Sequence, residues 1–74
     1  MNIQWLFVGG PHDGKTLWIK QGGRVAYDGA VYQGQNYLYN GRLYRVGFID
    51  PNDLTPSKVA KLIAETGLAH IAGS

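Results

Sequence analysis

The chain has no cysteine, so neither a disulfide framework nor a thiolate zinc site can stand in for a hydrophobic core, and a reducing compartment is compatible. Long apolar runs are missing as well. Nothing approaches the roughly 20 residues of a membrane-spanning helix, and the N-terminus carries no basic region followed by an apolar stretch. The expectation is a soluble, intracellular protein without a membrane partner. Charge is sparse, at 16% of residues, and the formal net charge of +2 is too small to announce a nucleic-acid binder. Its distribution is uneven, however. Lys15, Lys20, Arg24, Arg42 and Arg45 face only Asp13 and Asp28 in the front two-thirds, whereas Asp50, Asp53 and Glu65 outnumber Lys58 and Lys61 behind. A mildly basic sheet surface follows, able to meet an acidic protein surface or a phosphate backbone. At 74 residues the chain is one small domain, expected to be monomeric. Such a domain buries only about 60% of its unfolded surface, so its stability must come from one compact core.

What is present begins with GGPHDGKT at residues 9–16, where Gly9, Gly14, Lys15 and Thr16 satisfy the phosphate-loop pattern letter for letter. That pattern acquires meaning only when it leaves a buried strand and enters a helix whose first amides cradle phosphates. The strand is there, as Ile3-Gln4-Trp5-Leu6-Phe7-Val8. The helix is not. Lys15-Thr16-Leu17-Trp18-Ile19-Lys20 alternates Thr16, Trp18 and Lys20 against Leu17 and Ile19 and stops at Gln21-Gly22-Gly23, which is the pattern of a second strand. The segment therefore reads as a hairpin loop, with Pro11 presetting a turn and Asp13-Gly14 supplying left-handed geometry. Length gives the same answer, since a phosphate-loop NTPase needs several parallel strands with crossover helices.

Glycines punctuate the chain as far as Gly47, and the remainder changes character. Arg24–Tyr27 reads as a third strand ending at Asp28-Gly29, and Val31–Gly34 as a further short piece. In Gln35–Val46, Asn40-Gly41 is a strong two-residue hairpin signal that pairs Tyr39 with Arg42, Leu38 with Leu43 and Tyr37 with Tyr44. Tyr37, Tyr39, Arg42 and Tyr44 then share one face; Leu38, Leu43, Asn36 and Arg45 share the other. Two readings of the tyrosine face stand: aromatic pairing half-buried under a helix or second sheet, or a contact surface of Tyr and Arg, residue types enriched at interface hot spots.

A helix is expected over 55–66. Thr55 suits the N-cap, Pro56 the first helical position, and Leu54 can pack against Val59 as a hydrophobic staple. Val59, Leu62, Ile63 and Thr66 follow helical spacing, and Gly67 terminates it. Leu68–Ile71 either returns over the core or hangs free as a docking tail. The expected architecture is α+β: a single domain over 1–67, with a small twisted antiparallel sheet of about four strands in 1–49, one C-terminal helix, and a flexible tail over 68–74.

Chemistry-bearing groupings are few. His12 and His70 fit no ligand spacing, so no metal or cofactor is expected. His12 beside Asp13 reads as a turn-forming acid with a solvated neighbour, and no activated nucleophile or carboxylate pair accompanies it. No catalytic residue is assigned, and the chain is expected not to be an enzyme. Thr55–Ser74 has the spacing of a helix-turn-helix at Ile63 and Gly67, but no Arg or Lys follows Gly67 to read DNA.

The strand followed by Gly9-Gly10-Pro11-His12-Asp13-Gly14, a second apolar strand and a Tyr-rich hairpin resembles a group of very short phage and prophage proteins. These share a G-G-P-x-D-G turn after an apolar strand, and the likeness spans roughly residues 5 to 48. The resemblance implies a phage origin, and the size is similar to that of host-takeover factors, which occupy a surface of a large host machine such as RNA polymerase. It transfers no catalytic residues. The expected function is non-catalytic binding to a host protein complex in the bacterial cytoplasm, with RNA polymerase the best single candidate and inhibited or redirected transcription the effect. Tyr37, Tyr39, Arg42, Tyr44 and Arg45 are the expected contacts, with Trp5 and Trp18 as anchors if exposed. A nucleic-acid module built on the same hairpin, or a minor virion component, are the alternatives.

Overall fold

The computed structural model describes residues 2–20 and 22–74. Five strands, β1 (Asn2–Val8), β2 (Thr16–Lys20), β3 (Arg24–Tyr27), β4 (Ala30–Tyr39) and β5 (Arg42–Phe48), are followed by one helix, α1 (Pro56–Thr66). Short 3-10 turns occupy Gly10–His12 and Pro51–Asp53. The result is a small α+β domain.

The sheet order is β2-β1-β5-β4-β3, which puts β2 and β3 on opposite edges although Lys20 and Arg24 are consecutive strand ends. Four residue steps reach at most about 14 Å, whereas the edges of a flat five-stranded sheet lie about 19 Å apart. The sheet must curl, and it does. Leu17 and Ile19 of one edge and Val25 and Tyr27 of the other pack on the same inner cluster of Trp5, Phe7 and Tyr32. Direction follows from parity: a meander reverses at each step, so its first and fifth strands run the same way. Where curling brings β1 against β5, the pair is accordingly parallel, from Trp5 opposite Arg45 to Val8 opposite Phe48. The sheet is therefore mixed and five-stranded, rather than antiparallel with about four strands.

Curling creates two apolar layers. Inside lie Trp5, Phe7 and Tyr32, ringed by Ile3, Leu17, Ile19, Val25 and Tyr27. Phe7 stacks on Tyr32 with centroids 4.2 Å apart and planes 9° from parallel. Outside, Leu6, Val8 and Val46 pack against Val59 and Ile63 of α1 and against Leu68. Because β1 contributes to both layers, Trp5, Leu6, Phe7 and Val8 are all buried, without alternation. The inner layer has room for an indole because Gly34 and Gly47 face it. A Cβ on Gly47 would sit 2.9 Å from Phe7 Cδ1, and one on Gly34 would overlap the Trp5 ring. Gly34 thus marks a close approach inside one long strand rather than the break expected between Val31–Gly34 and the hairpin.

The helix forms as its ends dictate. Thr55 Oγ1 accepts from Lys58 N at 3.4 Å, Leu54 packs on the outer core that holds Val59, and Gly67 closes the C-terminus in the left-handed region with its N–H on Ile63 O. Of the two arrangements open to Leu68–Ile71, the structure shows the return over the sheet. Leu68 is buried, Ala69 N donates to Gln4 Oε1, and Ile71 N donates to Leu43 O at 2.7 Å. The segment from 68 onward, expected as a free tail, lies in the cleft where β1 and β5 diverge below their first paired residues and leave backbone groups to be satisfied.

Candidate interaction surface

The GGPHDGKT loop is a hairpin connection whose amides are directed inward. Gly9 N donates to Asp13 Oδ1, His12 N to Tyr32 Oη, Asp13 N to Gly10 O, Gly14 N to Phe7 O and Lys15 N to His12 O. A phosphate would have to displace these bonds, because a phosphate loop works through free amides. Lys15 is exposed just before β2, its Nζ 5.5 Å from the Tyr27 ring. Asp13 meets Lys58 of α1 at 3.3 Å, tying loop to helix. The glycine pair has a steric cause: φ is +78° at Gly9 and +68° at Gly10, and a Cβ on Gly10 would sit 2.7 Å from Tyr32 Oη.

Tyr32 organises the loop. Fully buried, it donates its hydroxyl to Gly9 O at 2.9 Å and accepts from His12 N at 3.0 Å. Tyr32→Phe is expected to leave both backbone groups unpaired and to cost about 1–3 kcal/mol. Hydrogen exchange would show the His12 amide accelerated relative to amides of the β4–β5 ladder; unchanged exchange at His12 would refute the role given to Tyr32.

The hairpin has the register expected from Asn40-Gly41, with Tyr39 opposite Arg42, Leu38 opposite Leu43 and Tyr37 opposite Tyr44. Its tyrosines are not a free surface. Tyr37, Tyr39 and Tyr44 are half-buried against the outer core, Tyr39 and Tyr44 with ring centroids 6.2 Å apart. The two arginines point to opposite sides. Arg45 lies across the inner face of Trp5 at 4.8 Å, whereas exposed Arg42 reaches the returning tail and its Nη1 donates to His70 Nε2 at 2.6 Å. His70 Nδ1 lies 3.0 Å from Ile71 O, which places its proton on Nδ1 and leaves Nε2 as acceptor.

The two tryptophans separate as sharply. Trp5 is 1% exposed, so the condition set for it as an anchor fails; Trp18 is 58% exposed and meets it. Leu17 and Ile19 point to the inner core, which turns Trp18 outward, opposite Gln4 in the β1–β2 ladder. The eleven-residue helix, about 16 Å long, covers Leu6 and Val8 further along the same face but does not extend over this pair. Trp18, Gln4, His70, Ile71 and Ala72 line a groove of about 320 Å³. Through His70 that groove is continuous with Arg42 and with Tyr44, whose ring lies edge-on to the imidazole at 6.5 Å. The surface thus unites Trp18 and Arg42 from the expected set, leaves Trp5 and Arg45 on the other side of the sheet, and adds His70. No local pattern marks His70: its link to Arg42 spans 28 positions and exists only because the tail returns.

Among the described residues no group of three or more histidines and carboxylates is placed to hold a metal ion, and no helix is long and apolar enough to cross a membrane. Comparison with known protein families, with curated proteins and with solved structures finds no match.

Proposed function

We propose that this protein is a non-catalytic binding module that docks on a host protein complex through its outer β1–β2 face and returned tail. The observation that carries the reading is Trp18, a large aromatic left exposed on a groove that it shares with His70, to which Arg42 is hydrogen-bonded. Trp, Tyr and Arg are the residue types that concentrate binding energy at interfaces, and a rigid ladder with a hydrogen-bonded tail presents them at low entropic cost. The phage-type turn at Gly9–Gly14 extends the reading to host takeover in the bacterial cytoplasm. Bacterial RNA polymerase is the candidate partner and altered transcription the effect.

A nuclease-treated pull-down from bacterial lysate at moderate salt, read by mass spectrometry, tests this. RNA polymerase subunits are expected in stoichiometric amounts with the natural chain and at background level with Trp18→Ala plus Arg42→Ala. Tyr39 is unsuitable for this test because its truncation would loosen the outer core. A second reading, a single-stranded nucleic-acid surface, is favoured by Trp18 and Lys20 alternating on one face of an edge strand. It predicts retained nucleic acid when nuclease is omitted, a steep salt dependence, and no protein after digestion.

A further inference from the structure

On the inner side of the sheet, at the end where the two edges approach, a pocket of about 420 Å³ opens. That volume lies within the range of small-molecule sites. Arg45 forms one wall. Its Nη1 donates to Asn36 Oδ1 at 3.0 Å, its Nη2 donates to Gly22 O at 2.5 Å, and its plane lies over Trp5. These contacts fix the guanidinium fork while using only part of its five donors. None of its partners is an anion, and no carboxylate of the described residues lies within 4 Å of it. Burial holds its pKa below the ordinary arginine value, so the charge is partly desolvated. Trp5 also lines the pocket, and its Nε1 is buried without a hydrogen-bond partner. The remaining walls include Ile3 and Ile71, which are apolar, and Gly22 and Gly23, which carry no side chain into the space.

A positioned, uncompensated guanidinium beside an orphaned indole N–H and two aliphatic walls is a receptor for one oxyanion attached to a short apolar group. The geometry points to a carboxylate-binding site in this pocket, taking a carboxylate on a branched aliphatic stem, with Arg45 as its anchor. A planar carboxylate matches the guanidinium fork better than a spherical anion does. The ligand is either a free organic acid or the C-terminal residue of a peptide. Ile71 also borders the Trp18 groove, but Arg45 and Trp5 lie on the opposite side of the sheet from Trp18, so substitutions at Arg45 and at Trp18 distinguish failure of this site from failure of the docking proposal.

The test uses the full chain labelled with nitrogen-15, following the Trp5 Nε1–H and Arg45 Nε–H resonances at constant ionic strength. One arm titrates 4-methylpentanoate and the other acetyl-Gly-Gly-Leu, with the amidated peptide and chloride as controls. At least one carboxylate arm is expected to give saturable shifts with a Kd on the order of 1 mM or tighter. Arg45→Gln should weaken binding roughly tenfold or more, and Gly23→Val, which adds a side chain into open space at the pocket wall, should block it without touching Arg45. Saturation by the peptide alone would assign the source to a chain terminus; saturation by both would assign it to the carboxylate itself. No saturation at about 50 mM in either arm, equal shifts with the amide or chloride, or undiminished binding by both variants would overturn the proposal.

Discussion

Trp5→Ala is expected to remove most of the folded population at physiological temperature, whereas Trp18→Ala leaves the fold intact. Trp5 is 1% exposed and fills the inner layer between Gly34, Gly47, Phe7 and Arg45. Truncation of a large buried aromatic costs about 3–5 kcal/mol, because the walls collapse only partly. Total stabilities are about 5–15 kcal/mol, and small domains lie toward the lower end. In a domain of this size each kcal/mol moves Tm by about 4–8 °C, so a fall of roughly 20 °C or more is expected from circular dichroism melts. Trp18, 58% exposed, should change stability by no more than about 0.5 kcal/mol. Equal losses from the two substitutions would contradict the two-layer architecture.

Gly34→Ala should be nearly as damaging even though it adds only a methyl group. The added carbon would overlap the Trp5 ring and lie 2.6 Å from Arg45 Nη2. Arg45 can swing outward toward solvent. Trp5 has no such route, since Gly47 and Phe7 already sit against it. Overpacking of this kind costs about 1–3 kcal/mol, and the loss is expected at the upper end, with a fall in Tm of roughly 10–20 °C. Gly23→Ala is the internal control: its Cβ meets nothing within 4 Å, and its stability should stay within about 0.5 kcal/mol of the parent. The paired melts separate close packing at Gly34 from any general intolerance of glycine replacement, and a Gly34→Ala melt matching that of Gly23→Ala would mean that Trp5 is not packed as described.

The contrast between the two tryptophans shows which features were legible in the chain itself. Alternation in Leu17-Trp18-Ile19 puts Trp18 opposite its neighbours but does not say which side is core. That choice is made by β1, which lies between two layers and therefore shows no alternation at all. The Asn40-Gly41 register and the capping of α1 by Thr55 and Gly67 were readable because each depends on contacts within a few residues. The parallel β1–β5 pairing was not, although it follows from the odd number of strands once curling is known. Tyr32 escaped notice for the same reason, since its hydroxyl serves a loop 20 and 23 positions earlier. The hairpin was correctly paired, yet its tyrosines serve the core and only Arg42 extends to the proposed surface. A local pattern fixes who faces whom across a turn; it carries no information about which side a distant helix will cover.

The central claim is that the Trp18 face docks on a host protein complex. Its most direct measurement is fluorescence anisotropy of the end-labelled chain titrated with purified, nucleic-acid-free bacterial RNA polymerase, comparing the natural chain with Trp18→Ala. The predicted result is saturable binding that Trp18→Ala weakens roughly 30-fold or more, the about 2 kcal/mol of an aromatic hot spot, with unchanged melting. No saturable binding, or equal affinity in the two chains, would contradict it.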